Sequence, residues 1–188
     1  MTATTIDVAP ATYVVRVTGD LVLKGLYSND VTTANLEIPV DTATDTWRTV
    51  ATIVVPVDPG DILTVDARAR VTSELDYPVG IGAHLWIYDC DPEPGPDGLV
   101  PKVSERPWTK IAPSWGMNVT DDIHHLPFQV GALWQVPADW PCRVDGTPHR
   151  IVVALRADGH STAAVSGDKV AGDPGYTLIR VRREAVAP

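Results

Sequence analysis

Cysteine and long apolar runs are scarce in this sequence, and each shortage excludes a class of protein. Two cysteines, Cys90 and Cys142, cannot build the disulfide framework of a small secreted domain, and we expect them to remain unbridged. No apolar run approaches the roughly 20 residues that a membrane-spanning helix needs. Residues 1–10 lack the basic and apolar segments of a signal peptide, so the chain is either made in the cytoplasm or already mature, and the initial Met favours the first.

Positive charge is also in short supply. Lys and Arg together number 15 against 24 Asp and Glu, which gives a formal net charge of −9. An acidic surface repels phosphate backbones, so nucleic acid is a poor candidate partner. The same charge favours solubility at high concentration.

Proline, glycine, valine and threonine recur throughout, a mixture that favours strands joined by turns over long helices. The pattern predicts an all-β fold, an antiparallel β-sandwich or jelly roll, as a single domain over residues 1–188. Candidate strands cover residues 13–17, 21–23, 36–40, 47–57, 62–71, 79–88, 128–136, 150–157 and 176–182.

The clearest structural signal is a strict alternation that follows the turn Asp58-Pro59-Gly60-Asp61. Polar residues at 64, 66, 68 and 70 separate apolar ones, which indicates a strand with one buried face. The predicted core residues of this strand are Leu63, Val65, Ala67, Ala69 and Val71.

A second alternation covers residues 79–88 and leaves two assignments open. In the first, the aliphatic side chains face the core: Ile81, Ala83, Leu85 and Ile87. His84, Trp86 and Tyr88 then lie on the outer face of a sheet. In the second, these three rings face the core instead. Turn signals at residues 19–20 and 76–78 predict a hairpin or tight bend at the first and a hairpin at the second.

Residues 89–127 form the predicted irregular excursion, because the prolines and glycines at 92–98 cannot sit in a helix or a central strand. Such a segment must run over the surface, and long excursions are often functional. Residues 184–188 are predicted to be a loose tail.

Several residue groups that resemble sites are better explained as ordinary structure. The first is an acidic loop that contains Asp89, Asp91, Glu93 and Asp97. Its oxygen ligands suit calcium, but their spacing does not match that of a known calcium loop, so we favour the interpretation that they are solvated turn residues. Adjacent His124 and His125 would point to opposite sides of an extended chain, which argues against a cupin-like metal site. Residues 158–161 hold Asp, His and Ser too close in sequence for a triad and predict a polar turn. We therefore expect no enzyme, metal or cofactor.

Six tryptophans against one phenylalanine are the most unusual feature of the composition. Tryptophans in Pro-rich loops anchor interfaces or stack on sugars, although pinning a loop onto its own domain is the commoner use. The predicted interaction surface contains Trp108, Trp115, His124, His125 and Trp140. The candidate glycan-facing rings are Trp86 and Tyr88.

Eight stretches of the chain share their sequence character with one kind of protein: residues 60–71, 82–88, 107–111 (PWTKI), 118–120 (NVT), 124–127 (HHLP), 134–140, 149–162 and 176–181. Together they resemble β-rich virion proteins of tailed phages that infect actinobacteria, of the minor-tail or head-decoration kind. The resemblance covers most of the chain. It implies an assembled, symmetric particle component and transfers no catalytic residue.

Two hypotheses from different classes follow. The first is a virion structural protein that is located in the virion and packs with copies of itself or with other virion proteins, with host-surface binding as an added role. The alternative is a carbohydrate-binding module or lectin that uses outer-face aromatics and loop tryptophans. An unrecognised glycosidase or cupin ranks third.

Overall fold

The computed structural model describes residues 4–8, 13–17, 20–31, 36–42, 47–90, 108–112, 115–120, 125–140 and 149–186. The protein is all-β, as predicted, and no helix in these ranges is long and apolar enough to cross a membrane. A short 3-10 turn, Pro174–Tyr176, precedes the last strand. The strands are β1 (Thr4–Val8), β2 (Tyr13–Val17), β3 (Leu21–Val31), β4 (Leu36–Asp41), β5 (Arg48–Val57), β6 (Ile62–Thr72), β7 (Val79–Asp89), β8 (Thr109–Lys110), β9 (Trp115–Val119), β10 (Leu126–Gln135), β11 (His149–His160), β12 (Lys169–Gly172) and β13 (Thr177–Val186).

Strands β3 to β13 form one continuous hydrogen-bonded sheet that folds into two layers. The first layer holds β3, β13, β6 and β10 side by side, and β12 also pairs with β6. The second holds β5, β11 and β7, with β8 and β9 both paired to β7. Across the interior, β3 and β13 lie against β5, and β10 lies against β7. The predicted sandwich is therefore confirmed.

Strand β6 lies between β13 and β10 and carries the core face that its alternation predicted. Thr64 and Arg68 are exposed, whereas the five predicted core residues are at most 2% exposed: Leu63, Val65, Ala67, Ala69 and Val71. The turn before it is also as predicted, since Gly60 has φ 82° and the Asp61 amide donates to the Asp58 carbonyl at 3.1 Å.

Strand β11 is the centre of the second layer. Residues 151–155 are all buried, so both faces of this strand are covered. Leu155 lies opposite Leu85 of β7, and both side chains are fully buried. The aliphatic face of β7 points inward, which decides the open assignment: the rings at 84, 86 and 88 lie on the outer face.

Strand β4 joins the two layers at a corner. Its first four residues pair with β12, and then Val40 and Asp41 run parallel to the end of β11. Gly159 permits this crossing, because a Cβ there would lie 2.8 Å from the Pro39 carbonyl oxygen. The prediction of a polar turn at residues 158–161 was wrong, since β11 continues through His160 with Asp158 buried.

Neither predicted hairpin forms, and the alternative of a tight bend at residues 19–20 lies partly outside the described residues. Strand β2 pairs with β1, whereas β3 pairs with β13. Strands β6 and β7 belong to different layers, so the segment between them connects the two sheets. Turn composition marks where a chain reverses, but the partner of each strand depends on which layer covers its apolar face.

The predicted excursion at residues 89–127 contains more strand than expected. Strands β8 and β9 pair antiparallel with β7, and β10 begins at Leu126. These short strands supply hydrogen-bond partners to the backbone groups of β7. The proline and glycine content of the segment does not show that β7 needs such partners. Residues 91–107, 113–114 and 121–124 lie outside the described residues, so irregular structure there stays a prediction.

The predicted loose tail was wrong for residues 184–186. Strand β13 continues to Val186, and Glu184 pairs in register with Leu23 and Ile62 and is only 4% exposed. Neighbours on both sides hold this end of the chain in the sheet. Cys142 lies outside the described residues, so an unbridged Cys90 stays a prediction, as does a single domain over residues 1–188.

Tyr77 attaches the β6–β7 connection to the loop that follows β11. Its hydroxyl donates to the Asp168 carboxylate, which also accepts from the Val165 amide at 2.7 Å. The hydrogen bond to Asp168 raises the pKa of the Tyr77 phenol from 10.0 to about 12. A raised folded-state pKa means that this contact stabilises the fold below pH 10 and is lost as the pH rises toward 12.

We expect Asp168→Ala to bring the pKa of Tyr77 back toward 10.0, because the carboxylate that holds the phenolic proton is removed. Absorbance titration at alkaline pH measures tyrosinate directly, and Tyr77→Phe identifies which step of the curve belongs to this residue. An identical curve for wild type and Asp168→Ala would contradict the contact.

Candidate functional site

The outer face of the second layer carries a group of large side chains that we call the outer aromatic cluster. Strand β7 contributes three side chains by alternation, and β11 contributes one, opposite His84 in register. Two more come from the residues just before β5 and β8. Its members are Trp47, His84, Trp86, Tyr88, Trp108 and Arg156.

One end of the outer aromatic cluster is closed over by the chain itself. Trp47 packs edge-on against His84, with ring centroids 4.0 Å apart at 85°. Trp86 is tilted against both rings, at 6.5 Å from Trp47 and 6.4 Å from His84. His84 is therefore only 3% exposed although it lies on an outer face.

The other end holds a cation between two indoles. Tyr88 and Trp108 meet at 4.2 Å, and the Arg156 guanidinium carbon lies 5.1 Å from the Trp108 centroid and 5.4 Å from that of Trp86. Its Nη2 donates to the Trp47 carbonyl at 3.4 Å. Burial lowers the pKa of the Arg156 guanidinium. Arginine nevertheless stays protonated in proteins, so this half-buried site carries a positive charge.

A cavity of about 380 Å³ opens near the end of β10, and we call it the end pocket. Trp134 and Trp140 form part of its wall, edge to face at 5.7 Å, beside Lys110. His149 lies 6.3 Å from Trp140, is 2% exposed and bonds the Asp89 carboxylate through Nε2. The Trp140 indole N–H is buried without a hydrogen-bond partner.

Strand β3 forms an edge of the first layer. It pairs with β13 on one side, and among the described strands none pairs with its other side. Its apolar residues are unusually exposed: Leu21 41%, Val22 50%, Leu23 51% and Leu26 71%. This edge offers both open backbone groups and apolar side chains to a partner.

The structure does not bring the sequence-predicted interaction residues to one place. Trp108 belongs to the outer aromatic cluster together with Trp86 and Tyr88, whereas Trp140 belongs to the end pocket. Trp115 lies on β9, opposite Ala83 in register, and His124 lies outside the described residues. These residues were grouped by position along the chain, but β9 and β10 carry the chain into different layers. Their roles in binding stay predictions.

His125 has a structural contact that accounts for its position. It is exposed at the start of β10 with φ 61°, a left-handed conformation that is uncommon outside glycine. Its amide donates to the Thr72 hydroxyl at 3.3 Å, and its Nδ1 lies 3.0 Å from the same oxygen.

Arg156, Trp47 and the exposed apolar residues of β3 were missed from the sequence. Arg156 carried a usable signal, since it is the charge that interrupts an otherwise apolar strand at residues 151–155 and 157. Residues 21–23 are apolar without alternation, and a two-faced strand cannot bury all three on one side.

No group of three or more His, Cys, Asp or Glu in the described part of the chain is arranged to hold a metal ion. Most of the predicted acidic loop, namely Asp91, Glu93 and Asp97, lies outside the described residues. Its interpretation as solvated turn residues therefore stays a prediction.

Comparison with known proteins gives distant matches among solved structures. No known protein family and no curated protein matches the sequence. Among solved structures, the chain is similar to those of infectious bursal disease virus: the Gx strain (10% identity, TM-score 0.43), the T13 viral particle (12%, 0.45) and the VP2 subviral particle (12%, 0.42). These alignments cover 96–98% of this chain but only 41–43% of the viral chains. Scores below 0.5 do not establish a shared fold, so nothing about this chain follows from them.

Proposed function

We propose that the protein is a virion structural protein that assembles through protein–protein contacts at the β3 edge. The observation that carries the proposal is the exposure of this edge: an 11-residue strand whose outer side no described strand pairs with, and which has four exposed apolar residues. Monomeric proteins normally shorten, charge or cover such edges, because an open edge pairs with other chains. An edge left apolar is suited to a partner strand.

The resemblance of the sequence to virion proteins supports the finer parts of the proposal. The protein would act as a minor tail or capsid-decoration component of a tailed phage of actinobacteria, located in the virion as a homo-oligomer beside other virion proteins. The role is non-enzymatic and needs no cofactor.

Leu26→Lys is expected to weaken self-association about tenfold or more, because it places a charge where an apolar side chain would be buried. Leu26 is 71% exposed in the single chain, so the substitution leaves the fold intact. Sedimentation velocity over a concentration series measures the association, and circular dichroism checks the fold.

Val165→Lys is the matched control, since Val165 is 67% exposed but lies outside β3. Wild-type-like association is expected for this variant. A wild-type protein that stays monomeric at all concentrations, or equal association of the wild type and Leu26→Lys, would contradict assembly through this edge.

Carbohydrate binding at the outer aromatic cluster is the second candidate function. It is favoured by the placement of Trp86, Tyr88 and Trp108, whose rings are only half-buried on an outer sheet face beside a cation. Partly exposed aromatic rings supply flat apolar area on which a sugar ring can pack.

A further inference from the structure

Arg156 differs from the other arginines that the structure buries in whole or in part. Arg183 bonds Asp61 at 2.5 Å and Asp58 at 2.6 Å, and Arg70 bonds Asp173. Among the described residues, no carboxylate pairs with Arg156, whose protein hydrogen bond is the one to the Trp47 carbonyl. Buried or half-buried charges are normally paired, so this cation calls for an explanation.

The contacts of Arg156 satisfy its charge only in part. Its Nε is buried without a hydrogen-bond partner. The two indoles lie more than 5 Å from its guanidinium carbon, whereas Arg70 stacks on Tyr176 at 3.5 Å. Cation–π attraction at these distances offsets some of the desolvation cost. The guanidinium is thus held between two rings, in a residue that is only partly buried.

The scarcity of positive charge sharpens the point. The chain has 24 acidic residues and a net charge of −9. Even so, none of the acidic side chains in the described part of the chain forms an ion pair with Arg156. Arginine is the side chain best suited to grip a carboxylate, through a planar fork of two N–H groups. Flanking aromatic faces add apolar contact for a ring that carries such a group.

We propose that Arg156 binds the carboxylate of an acidic sugar, a uronic or sialic acid, whose ring lies against Trp86 or Trp108. The inference rests on the second candidate function and names its ligand class. The carboxylate makes the site prefer an acidic sugar over a neutral one. The indoles contact both kinds of sugar.

The test compares methyl β-glucuronide with methyl β-glucoside, which differ in the carboxylate. Tryptophan fluorescence and protein NMR titrations measure binding of each sugar to the full chain. The wild type is expected to bind the glucuronide at least about tenfold more tightly, because the glucoside lacks the carboxylate that accepts the charged hydrogen bonds. Arg156→Gln is expected to abolish that preference, so that the two sugars bind this variant with equal affinity.

Two variants keep the result interpretable. Arg156→Lys retains the charge without the fork and is expected to keep part of the preference, which separates binding from a loss of fold. Arg68→Gln, which removes an exposed arginine of β6, is expected to bind both sugars as the wild type does.

Equal affinity for both sugars would overturn the acidic-sugar inference while carbohydrate binding stands. No binding of either sugar at millimolar concentration would overturn both. Self-association that is present in the wild type and lost in Arg156→Gln, without sugar binding, would show that the carboxylate comes from a second copy, which also overturns the inference.

Discussion

Replacing Arg183 with methionine is expected to lower the free energy of unfolding by about 3 kcal/mol, because it removes a cation from a buried carboxylate. Arg183 is 5% exposed and bonds Asp61, which is 1% exposed, through Nε at 2.5 Å. Lys24 stays within 3.1 Å of the other Asp61 oxygen, which keeps the loss at the lower end for a broken buried pair. The contact ties β13 to the turn before β6.

The same cluster gives an acid dependence. Partial burial alone would raise the pKa of Asp58, but the hydrogen bond from Lys24 and the charge of Arg183 outweigh it and lower that pKa below 3.8. A lowered folded-state pKa means that this contribution to stability is present above pH 3.8 and is lost as the pH falls below it.

Urea unfolding followed by circular dichroism measures the effect of Arg183→Met. Arg180→Met is the control, because Arg180 is exposed on the same strand, and a change within about 0.5 kcal/mol is expected for it. The double variant Arg183→Met/Asp61→Asn is expected to lose less than the sum of the two single variants, since no unpaired charge stays buried. Strict additivity would show that the pair is not coupled.

Leu155→Ala is expected to lower the free energy of unfolding by about 2–5 kcal/mol, the range for a leucine truncated inside a packed core. Leu155 is fully buried at the centre of the second layer and lies opposite Leu85, which is also fully buried. Neighbours on both sides of β11 hold the backbone in place, so the cavity cannot collapse easily.

Val54→Ala is the comparison for this substitution. Val54 lies on β5 next to the same strand but is 49% exposed, so it is expected to lose less than about 1 kcal/mol. Similar losses for Leu155→Ala and Val54→Ala in urea unfolding would contradict the placement of the core between the two layers.

Local pattern was enough to predict one face of the core and the other strands, but not β1, β8, β9 or β12. The alternation in β6 required no knowledge of its neighbours, because a pleated strand sends successive side chains to opposite faces. The turn at Gly60 was equally readable, since its sequence suits a chain reversal with positive φ. The aliphatic and aromatic faces of β7 could be separated but not oriented, because either face can be covered.

Only the tertiary structure decided which strands are partners and which outer-face groups come together. Trp47 and Arg156 are 109 residues apart yet share a hydrogen bond, and Arg183 reaches Asp61 across 122 residues. The crossing at Gly159 depends on the approach of β4, whose own sequence carries no sign of it. Local propensity acts within a few residues, whereas pairing and outer-face contacts depend on which apolar surfaces cover each other in three dimensions.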